Sequence, residues 1–547
     1  MIRKSFLTAA FVAFAFTLGV QADHHGSDAG FKAIFNGKDL SGWKGNPKFW
    51  SVKDGAITGR TTADNPTVPN TFIVWEDGKV DNFELRLKYK IVGDNEKGQA
   101  NSGIQYRSTL LDAEKFIVSG YQADFEAGTT YSGILYEERE RGILALRGEQ
   151  VVLEPQVPGK KGAKKIVTGS VGKSEEIQAA IKANQWNDYT IIARGNHLVH
   201  IINGRKTVEI TDNDPKERAM SGILALQLHQ GPPMTVQFKD IKLKRLPLTH
   251  AKKLVMIAGK PSHGPLLHEF NAGVQLLDNC LQQGQDKVLS AVYLNGWPKD
   301  PTAFDNADGV FFYMDGRQKH EIAQTRERIA QIDALAAKGV GIGCAHYGVE
   351  VEPGVLGDQF KRWIGGHYEH EYSCNPLWSP DYQNLPVHPI TRGVKPFKVL
   401  DEWYFNMRFR DQLTGVKPIL MAAPSDEVRN GPYVYPKGPY PHIQANKGLP
   451  ETMMWAVDRP DGGRGFGFTG GHYHVNWAND DYRKTLLNAL VWMTGSEAPK
   501  GGIESTVSNE LLMSNLDPKP DPRKRQKAKP KAKKKAAAEP VKGSKKK

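Results

Sequence analysis

The chain has only three cysteines, Cys280, Cys344 and Cys374, among 547 residues. Three cysteines allow at most one disulfide bridge and leave at least one thiol free, so a disulfide framework is excluded. No Cys-x-x-Cys pair is present, which also excludes a zinc ribbon and a thioredoxin-like motif. A chain of this length is too large for one hydrophobic core, so we expect two domains.

Long apolar runs are also scarce, and the one that stands out is residues 6–20. Arg3 and Lys4 precede it, and Val20-Gln21-Ala22 ends in the small-residue pattern of a cleavage site. The run is short for a membrane span, and no cysteine follows it as in a lipoprotein. We predict a signal peptide over residues 1–22, export to the periplasm or the extracellular space, and no transmembrane span after cleavage. An uncleaved anchor is the alternative.

A strong charge excess is missing from most of the chain, although the net charge is +13. Residues 518–547 hold 14 Lys and Arg against 2 acids, a net of +12, so that the rest carries only +1. The pI therefore gives no support for a specific nucleic-acid-binding domain. The Lys/Ala/Pro-rich tail has no aromatic residue and is predicted to be disordered. It either binds an anionic surface or is simply solvated.

Residues 31–247 have the pattern of an all-β domain. Residues 83–92 alternate between apolar and charged side chains, which is typical of a half-buried strand. Gly195-Asn196 and Asn203-Gly204 are hairpin turn signals between β-rich runs. Many short strands with regular turns predict a β-sandwich or jelly roll.

The pattern changes at residues 253–495. Apolar strands are predicted at 253–258, 287–294, 309–314 and 339–345, and helices at 269–281, 321–338 and 482–493. Strands that alternate with helices indicate an α/β domain with a parallel sheet covered on both faces.

Polar side chains recur at every second residue of three predicted strands in the first domain. Their alternate neighbours, such as Ile104 and Leu226, are apolar and can face the core. An ordinary solvated face would favour Lys, Glu and Thr, so this set predicts a concave, sugar-binding sheet surface. The polar residues are Asn101, Gln105 and Arg107; Gln122, Asp124 and Glu126; and Gln227 and His229.

Five motifs in the first domain together resemble the 3-keto-disaccharide hydrolase domain family. The resemblance implies a concanavalin-like jelly roll and cleavage of glycosides that are already oxidised at C3 of the sugar. The motifs are Phe35-Asn36-Gly37-Lys38-Asp39-Leu40-Ser41-Gly42-Trp43, Asn101-Ser102-Gly103-Ile104, Gly120-Tyr121-Gln122-Ala123-Asp124, Trp186-Asn187-Asp188-Tyr189 and Phe238-Lys239-Asp240-Ile241.

The implied reaction is elimination followed by addition of water. A ketone at C3 acidifies the hydrogen at C2, so that a base can remove it and the anomeric group departs. Asp124 or His229 is the expected base, and Glu137 or Glu138 the expected acid. Substrate hydroxyls or the enolate are expected to bind five residues, Asn101, Gln105, Arg107, Gln122 and Gln227.

The second domain resembles the ThuA-like domain named for trehalose utilisation, with a flavodoxin-like fold related to class I glutamine amidotransferases. The motifs on which this resemblance rests are Ser262-His263-Gly264, His268-Glu269-Phe270, Asp308, Asp315-Gly316, His346-Tyr347-Gly348-Val349-Glu350, Trp363-Ile364-Gly365-Gly366 and Phe466-Gly467-Phe468-Thr469-Gly470-Gly471-His472. In amidotransferases a nucleophilic Cys lies on a tight turn after a strand. Here His346 takes that position and Cys344 lies two residues upstream, so glutaminase chemistry is not expected.

What remains in this domain is a set of histidines at the predicted carboxyl ends of strands. His263, His472 and His474 are the expected ligands of a divalent metal, and His346 is an expected catalytic residue. Acid–base work on a sugar ketone and exposed loop histidines without a ligand are the alternatives.

Three functions follow from these patterns. The leading prediction is an exported hydrolase that cleaves 3-keto-disaccharides or 3-keto-glycosides. In the second, the sandwich only binds polysaccharide. In the third, the ThuA-like domain is the sole enzyme and acts on a 3-keto sugar as an isomerase-like partner.

Overall fold

The computed structural model describes residues 28–156, 159–160 and 162–520. The predicted signal peptide and residues 521–547 of the predicted tail lie outside this part of the chain. None of the helices within it has the length and apolar content that a membrane crossing requires. All three cysteines are free and buried, as packing residues.

Seventeen strands and one short helix form the first domain within the described residues. The helix is α1 (Ser174–Ala179). The strands are β1 (Lys32–Ala33), β2 (Trp43–Lys44), β3 (Trp50–Lys53), β4 (Ala56–Thr61), β5 (Thr71–Trp75), β6 (Phe83–Gly93), β7 (Asn101–Asp112), β8 (Ile117–Glu126), β9 (Leu135–Glu138), β10 (Gly142–Ala145), β11 (Glu149–Glu154), β12 (Lys164–Ser170), β13 (Asn187–Arg194), β14 (His197–Ile202), β15 (Arg205–Asp212), β16 (Ile223–Leu228) and β17 (Met234–Arg245).

These strands build two stacked sheets. One has the order β12-β11-β15-β14-β13-β6-β17-β4-β3, with β1 beside β17, and the other has the order β10-β9-β8-β7-β16-β5-β2. Apolar side chains at alternate positions fill the space between them, for example Leu85 and Leu87 of β6 against Ile104 of β7 and Phe125 of β8. The predicted all-β sandwich is confirmed.

The second domain contains the remaining strands and helices. The strands are β18 (Lys252–Ala258), β19 (Val288–Tyr293), β20 (Gly309–Tyr313), β21 (Gly341–Ala345), β22 (Gly366–His367), β23 (Leu377–Trp378), β24 (Asp381–Tyr382), β25 (Phe397–Lys398), β26 (Asp401–Glu402), β27 (Arg408–Phe409), β28 (Val416–Ala422), β29 (Glu451–Asp458) and β30 (Arg464–Phe468). The helices are α2 (Phe270–Gly284), α3 (Arg326–Ala336), α4 (Val355–Ile364), α5 (Asp426–Asn430), α6 (Pro441–Gln444), α7 (Asp480–Met493) and α8 (Asn509–Leu512).

The main sheet of this domain has the order β19-β18-β20-β21-β30-β29-β28. Its first five strands are parallel, and in chain order they read 2-1-3-4-5, which is the flavodoxin-like arrangement. Met256 packs with α2 and α7 on one face, whereas Val255 packs with α3 and α4 on the other. The predicted α/β domain is confirmed.

The helix predicted over residues 321–338 is wrong in one respect. Residues Glu321–Gln324 form a separate 3-10 turn, and α3 begins only at Arg326. Thr325 separates them because its backbone is extended and its side chain accepts a hydrogen bond from the Arg328 backbone N–H, as an N-cap.

The two domains contact each other through buried charged groups. Arg245, the last residue of β17, forms an ion pair of 2.8 Å with Asp300 of the second domain, and both side chains are almost fully buried. Thr302 also accepts a hydrogen bond from Arg245, and Lys32 pairs with Asp305 at 2.7 Å. The connection between the domains is therefore a packed interface.

Candidate functional site

The polar face of the β7–β8–β16 sheet lines a cleft of about 450 Å³, called here the sandwich cleft. Register brings its residues together, because Asp124 of β8 lies opposite Gly103 of β7, and Gln122 lies opposite Gln105. A Cβ atom on Gly103 would be 2.4 Å from the Gln122 side chain, so this position requires glycine. Residues that line the cleft and were predicted as site residues are Asn101, Gln122, Asp124, Glu138, Gln227 and His229.

Asp124 lines the cleft and is only 6% exposed. Asn101 donates a hydrogen bond to one of its carboxylate oxygens at 2.9 Å, and Gln122 donates to the other at 2.9 Å. Burial raises the pKa of Asp124 to about 7, and the two amide hydrogen bonds only partly oppose this. A carboxylate with a pKa near neutrality can both accept and return a proton.

Glu138 is the second buried carboxyl group of the cleft. Asn70 donates to it at 3.2 Å and Gln227 at 3.4 Å, and burial raises its pKa above the ordinary value. The side-chain oxygen of Gln227 is buried without a hydrogen-bond partner among the described residues.

Glu137 does not line the cleft, so the structure separates it from Glu138. The two residues are adjacent in a strand, and adjacent side chains point to opposite faces. Glu137 pairs with Arg141 at 2.5 Å, and Arg141 pairs with Asp212 at 2.7 Å, all three side chains being buried. Glu137 is therefore part of a buried ion-pair network, and Glu138 is the cleft acid.

The structure corrects the prediction that Arg107 binds substrate, because Arg107 does not line the cleft. A register shift between Gln105 and Thr109 and a backbone φ of 48° at Arg107 interrupt the alternation of β7. The Arg107 side chain is consequently buried, where it donates to the carbonyls of Asp81, Gly195 and Ala219.

Gln105 is fully buried beneath Gln122, with the two side-chain amides 2.7 Å apart, and does not line the cleft either. It can only position Gln122 and, through it, Asp124.

Other residues that line the cleft were not predicted, among them Asn70, Tyr131, Tyr136 and Arg139. Tyr136 shares its strand face with Glu138, a period-two signal that the sequence does contain. Tyr131 and Arg139 lie in turns, which carry no periodicity. A second hollow of about 590 Å³ shares Asn101, Tyr131 and His229 with the cleft and extends it.

The second set of candidate residues lies at the carboxyl ends of the parallel strands of the α/β domain, where ligands of such sheets bind. His268 follows β18, Asp315 follows β20, His346 follows β21 and His472 follows β30. Glu402 of β26 joins them. We call His268, His346, Glu402 and His472 the histidine cluster.

Ring nitrogens of the histidine cluster face one another at short distances. His268 Nε2 is 3.0 Å from His346 Nε2 and 3.0 Å from His472 Nδ1. His472 Nδ1 is 3.3 Å from His346 Nε2 and 2.8 Å from a Glu402 carboxylate oxygen. Burial lowers the pKa of His268 and of His346 well below the ordinary histidine value.

Of the other histidines predicted here, His263 lies beside the cluster and His474 outside it. The ring of His263 is partly exposed and stacks on that of His268 at 3.6 Å between centroids. His474 donates from Nε2 to the Leu512 carbonyl at 2.8 Å and is not part of the cluster. His268 and Glu402 were missed as ligands, Glu402 because the intervening strands bring it in from 56 residues beyond His346.

His346 occupies the tight turn at the end of β21, as predicted, and its backbone φ is 51°. Cys344 is fully buried in the strand, and burial raises the pKa of its thiol. A buried thiol with a raised pKa is a poor nucleophile, which agrees with the expected lack of glutaminase chemistry.

Comparison with family models assigns both domains. Residues 30–244 match the 3-keto-alpha-glucoside-1,2-lyase-like domain, and residues 268–493 match the trehalose utilisation domain, ThuA. The chain therefore has a carbohydrate-related function. More specifically, it is a fusion of a 3-keto-alpha-glucoside-1,2-lyase-like domain with a ThuA domain, and the resemblance read from its motifs is confirmed.

Solved structures similar to the chain include a proposed glycosyl hydrolase from Parabacteroides distasonis, with 21% identity, coverage of 40% of this chain and 99% of that one, and a TM-score of 0.25. A carbohydrate binding module from Bacillus subtilis has 14% identity, coverage of 37% and 95%, and a TM-score of 0.25. A proposed ThuA-like protein from Parabacteroides merdae has 16% identity, coverage of 46% and 92%, and a TM-score of 0.31. A comparison with curated proteins gave no match.

Proposed function

We propose that the sandwich cleft cleaves glycosides oxidised at C3, with Asp124 as the base. The observation that carries this proposal is a buried carboxyl group, held by two amides, whose pKa is about 7 and which opens into a cleft beside a second acid. The match to a 3-keto-alpha-glucoside-1,2-lyase-like domain supports the same chemistry. We further propose that the sandwich domain spans residues 31–247 and the α/β domain residues 253–495.

The reaction has two steps. Asp124 takes the proton from C2, and the electron pair moves towards the C3 carbonyl, whose oxygen gains negative charge. Arg139 and the Tyr136 hydroxyl line the same cleft and supply donors to that oxygen. The C1–O bond then breaks, and Glu138 gives its proton to the departing oxygen, which leaves an unsaturated 3-keto sugar. Addition of water across C1 and C2 completes hydrolysis.

The surroundings of the two carboxyl groups suit these roles. Burial raises the pKa of both groups, which keeps Glu138 available as a proton donor and makes Asp124 a stronger base than an exposed aspartate. The adjoining hollow gives room for a second sugar or another aglycone. We propose a disaccharide or glycoside substrate on this basis. We also propose that the protein is exported, with the apolar run at residues 6–20 as part of its signal peptide.

The test uses the full chain with a nitrophenyl 3-keto-glucoside, whose cleavage releases coloured nitrophenolate. Asp124→Asn is expected to lower kcat by roughly 100- to 10,000-fold, the usual contribution of a general base. The non-oxidised nitrophenyl glucoside serves as the control substrate and should not be cleaved. Cleavage by Asp124→Asn at the parent rate would overturn the assignment.

The histidine cluster favours a second candidate, in which the α/β domain is the enzyme and the sandwich only binds carbohydrate. Four buried ligand-type groups at the carboxyl edge of the sheet are the observation behind it. The two candidates predict opposite results from two variants. Loss of cleavage in His268→Gln together with an unaffected Asp124→Asn would establish the second candidate.

A further inference from the structure

The outer nitrogens of two histidines in the cluster fix where their protons lie. His346 Nδ1 is 3.1 Å from the Thr469 carbonyl oxygen, which can only accept a hydrogen bond. His268 Nδ1 is 3.2 Å from an Asp315 carboxylate oxygen, which also accepts. Both rings therefore carry their proton on Nδ1 and present a lone pair at Nε2.

These two lone pairs point at each other across 3.0 Å. Two acceptors at that distance repel unless a positive charge lies between them. The Glu402 carboxylate, 2.8 Å from His472 Nδ1 and 3.9 Å from His346 Nε2, adds negative charge to the same point. A cation bound by all four groups would offset both the repulsion and the negative charge.

The spacing fits one tetrahedral ion. Zinc binds histidine nitrogen at about 2.0–2.1 Å, and two ligands of the same tetrahedral ion at that distance are about 3.3 Å apart. The three nitrogen–nitrogen distances are 3.0, 3.0 and 3.3 Å. We propose that the α/β domain binds one divalent transition metal ion of the zinc class through His268 Nε2, His346 Nε2, His472 Nδ1 and Glu402.

Groups outside the cluster hold these ligands in place, as outer partners do in metal sites. Asp315 orients His268 and itself accepts from Ser262 at 2.8 Å. Asn375 donates to the other oxygen of Glu402 at 2.7 Å. The His268 and His346 backbones adopt φ values of 47° and 51°, a conformation that costs energy and is retained where side-chain direction matters.

The site is distinct from the sandwich cleft, and the inference does not rest on the cleavage reaction proposed for that cleft. It also differs from the His263, His472 and His474 set predicted from the sequence. His263 stacks against the outside of the cluster, and His474 is bound to the Leu512 carbonyl. Only His472 belongs to both sets.

The test measures metal directly. The full chain is stripped with a chelator, dialysed against Zn²⁺, and analysed by inductively coupled plasma mass spectrometry, with affinity measured against a chromophoric chelator. We expect one equivalent per chain, a higher Tm with Zn²⁺ than without, and a tetrahedral visible spectrum when Co²⁺ replaces Zn²⁺. A parent protein that retains no stoichiometric metal would overturn the proposal.

The expected loss of Zn²⁺ binding depends on whether the substituted residue is a ligand or an outer partner. His346→Gln and Glu402→Gln should weaken Zn²⁺ binding by at least about 100-fold, and Asp315→Asn by about 10- to 100-fold, as outer partners do. His474→Gln is the matched control, since its amide can still donate to the Leu512 carbonyl, and should bind as the parent does. Circular dichroism confirms folding of each. Parent-like binding by both folded ligand variants, or loss of binding only in His474→Gln, would contradict the assignment.

Discussion

At the scale of single residues, Asp124 combines burial with a role that requires ionisation. Its carboxyl group is inside the sheet face, where a charge is unfavourable, yet it must lose its proton before it can take one from a sugar. The raised pKa is the consequence of that conflict. The cleavage rate should accordingly rise with pH through about 7, and this dependence should vanish in Asp124→Asn.

The same shift has a consequence for stability. The folded protein keeps the Asp124 proton up to about pH 7, whereas the unfolded chain loses it near pH 4. Between these values the folded state binds more protons, so its stability falls as pH rises. Asp124→Asn removes this loss, and its Tm relative to the parent should be higher at pH 8 than at pH 5, on the order of 5 °C.

Scanning calorimetry at the two pH values measures this difference. Asp64→Asn, the same substitution at an exposed aspartate of the same domain, is the control. An equal Tm difference at both pH values for Asp124→Asn would mean that the carboxyl group is ionised in the folded protein throughout.

Glu137 and Glu138 offer a matched pair of adjacent residues. Glu138→Gln should slow release of a sugar leaving group by roughly 100-fold or more, because that oxygen needs a proton, and slow release of nitrophenolate far less. Glu137→Gln should leave both rates unchanged but lower the Tm by several degrees, since Arg141 loses one of its two buried anionic partners. Kinetics with both substrates, together with Tm measurements, test the pair. The reverse outcome would place Glu137 in the cleft.

Much of the sandwich cleft could be predicted from alternation alone. Asn101, Gln122, Asp124 and Gln227 occupy regular strand, where a period of two fixes the face of each side chain. Arg107 could not be placed because a local register shift ends that rule. Contacts between distant strands, such as that of Glu402 with His472, have no local signal in the sequence.

At the scale of elements, the apolar runs predicted β18 to β21 and helices α2, α3 and α7, whereas α4, β30 and the antiparallel strands β28 and β29 were not predicted. The division of one predicted helix at Thr325 is a departure from the prediction. The C-terminal segment is another. Lys519, which falls within the predicted tail, forms a buried ion pair of 3.2 Å with Glu269 and donates to the His268 carbonyl at 3.1 Å. The predicted tail limit at residue 518 is therefore wrong for Lys519.

Two deletions separate the bound part of this segment from the rest. Removing residues 518–547 should lower the Tm by several degrees, because Glu269 is left buried without its cation. Removing residues 521–547 keeps Lys519 and should leave the Tm unchanged while weakening adhesion to anionic vesicles at low salt. Thermal melts and vesicle co-sedimentation measure the two effects. Equal melts for both deletions would show that the Lys519 contact contributes nothing.

At the scale of the whole molecule, the two domains share the Arg245–Asp300 pair. Asp300 also accepts from Tyr293 at 2.9 Å and from the Thr302 backbone at 2.7 Å, so that its carboxylate is fully enclosed at the interface. The change of pattern after residue 247 predicts two separable pieces. A cut at Thr249 would, however, expose this buried pair and separate Arg245 from Asp300.

A double-mutant cycle tests how far this pair couples the domains. Asp300→Asn leaves Arg245 buried with only the more distant Asp81, at 3.7 Å, as an ion-pair partner, and Arg245→Met leaves Asp300 buried without its ion-pair partner. Removing one partner of a buried pair costs about 3–5 kcal/mol, whereas replacing both is often close to neutral. Each single variant should therefore lower the Tm by on the order of 5 °C or more, and the double variant should recover most of that loss. Calorimetry of the four full-length proteins measures the cycle. Additive losses in the double variant would mean that shape at the interface, and not the charge pair, holds the two domains together.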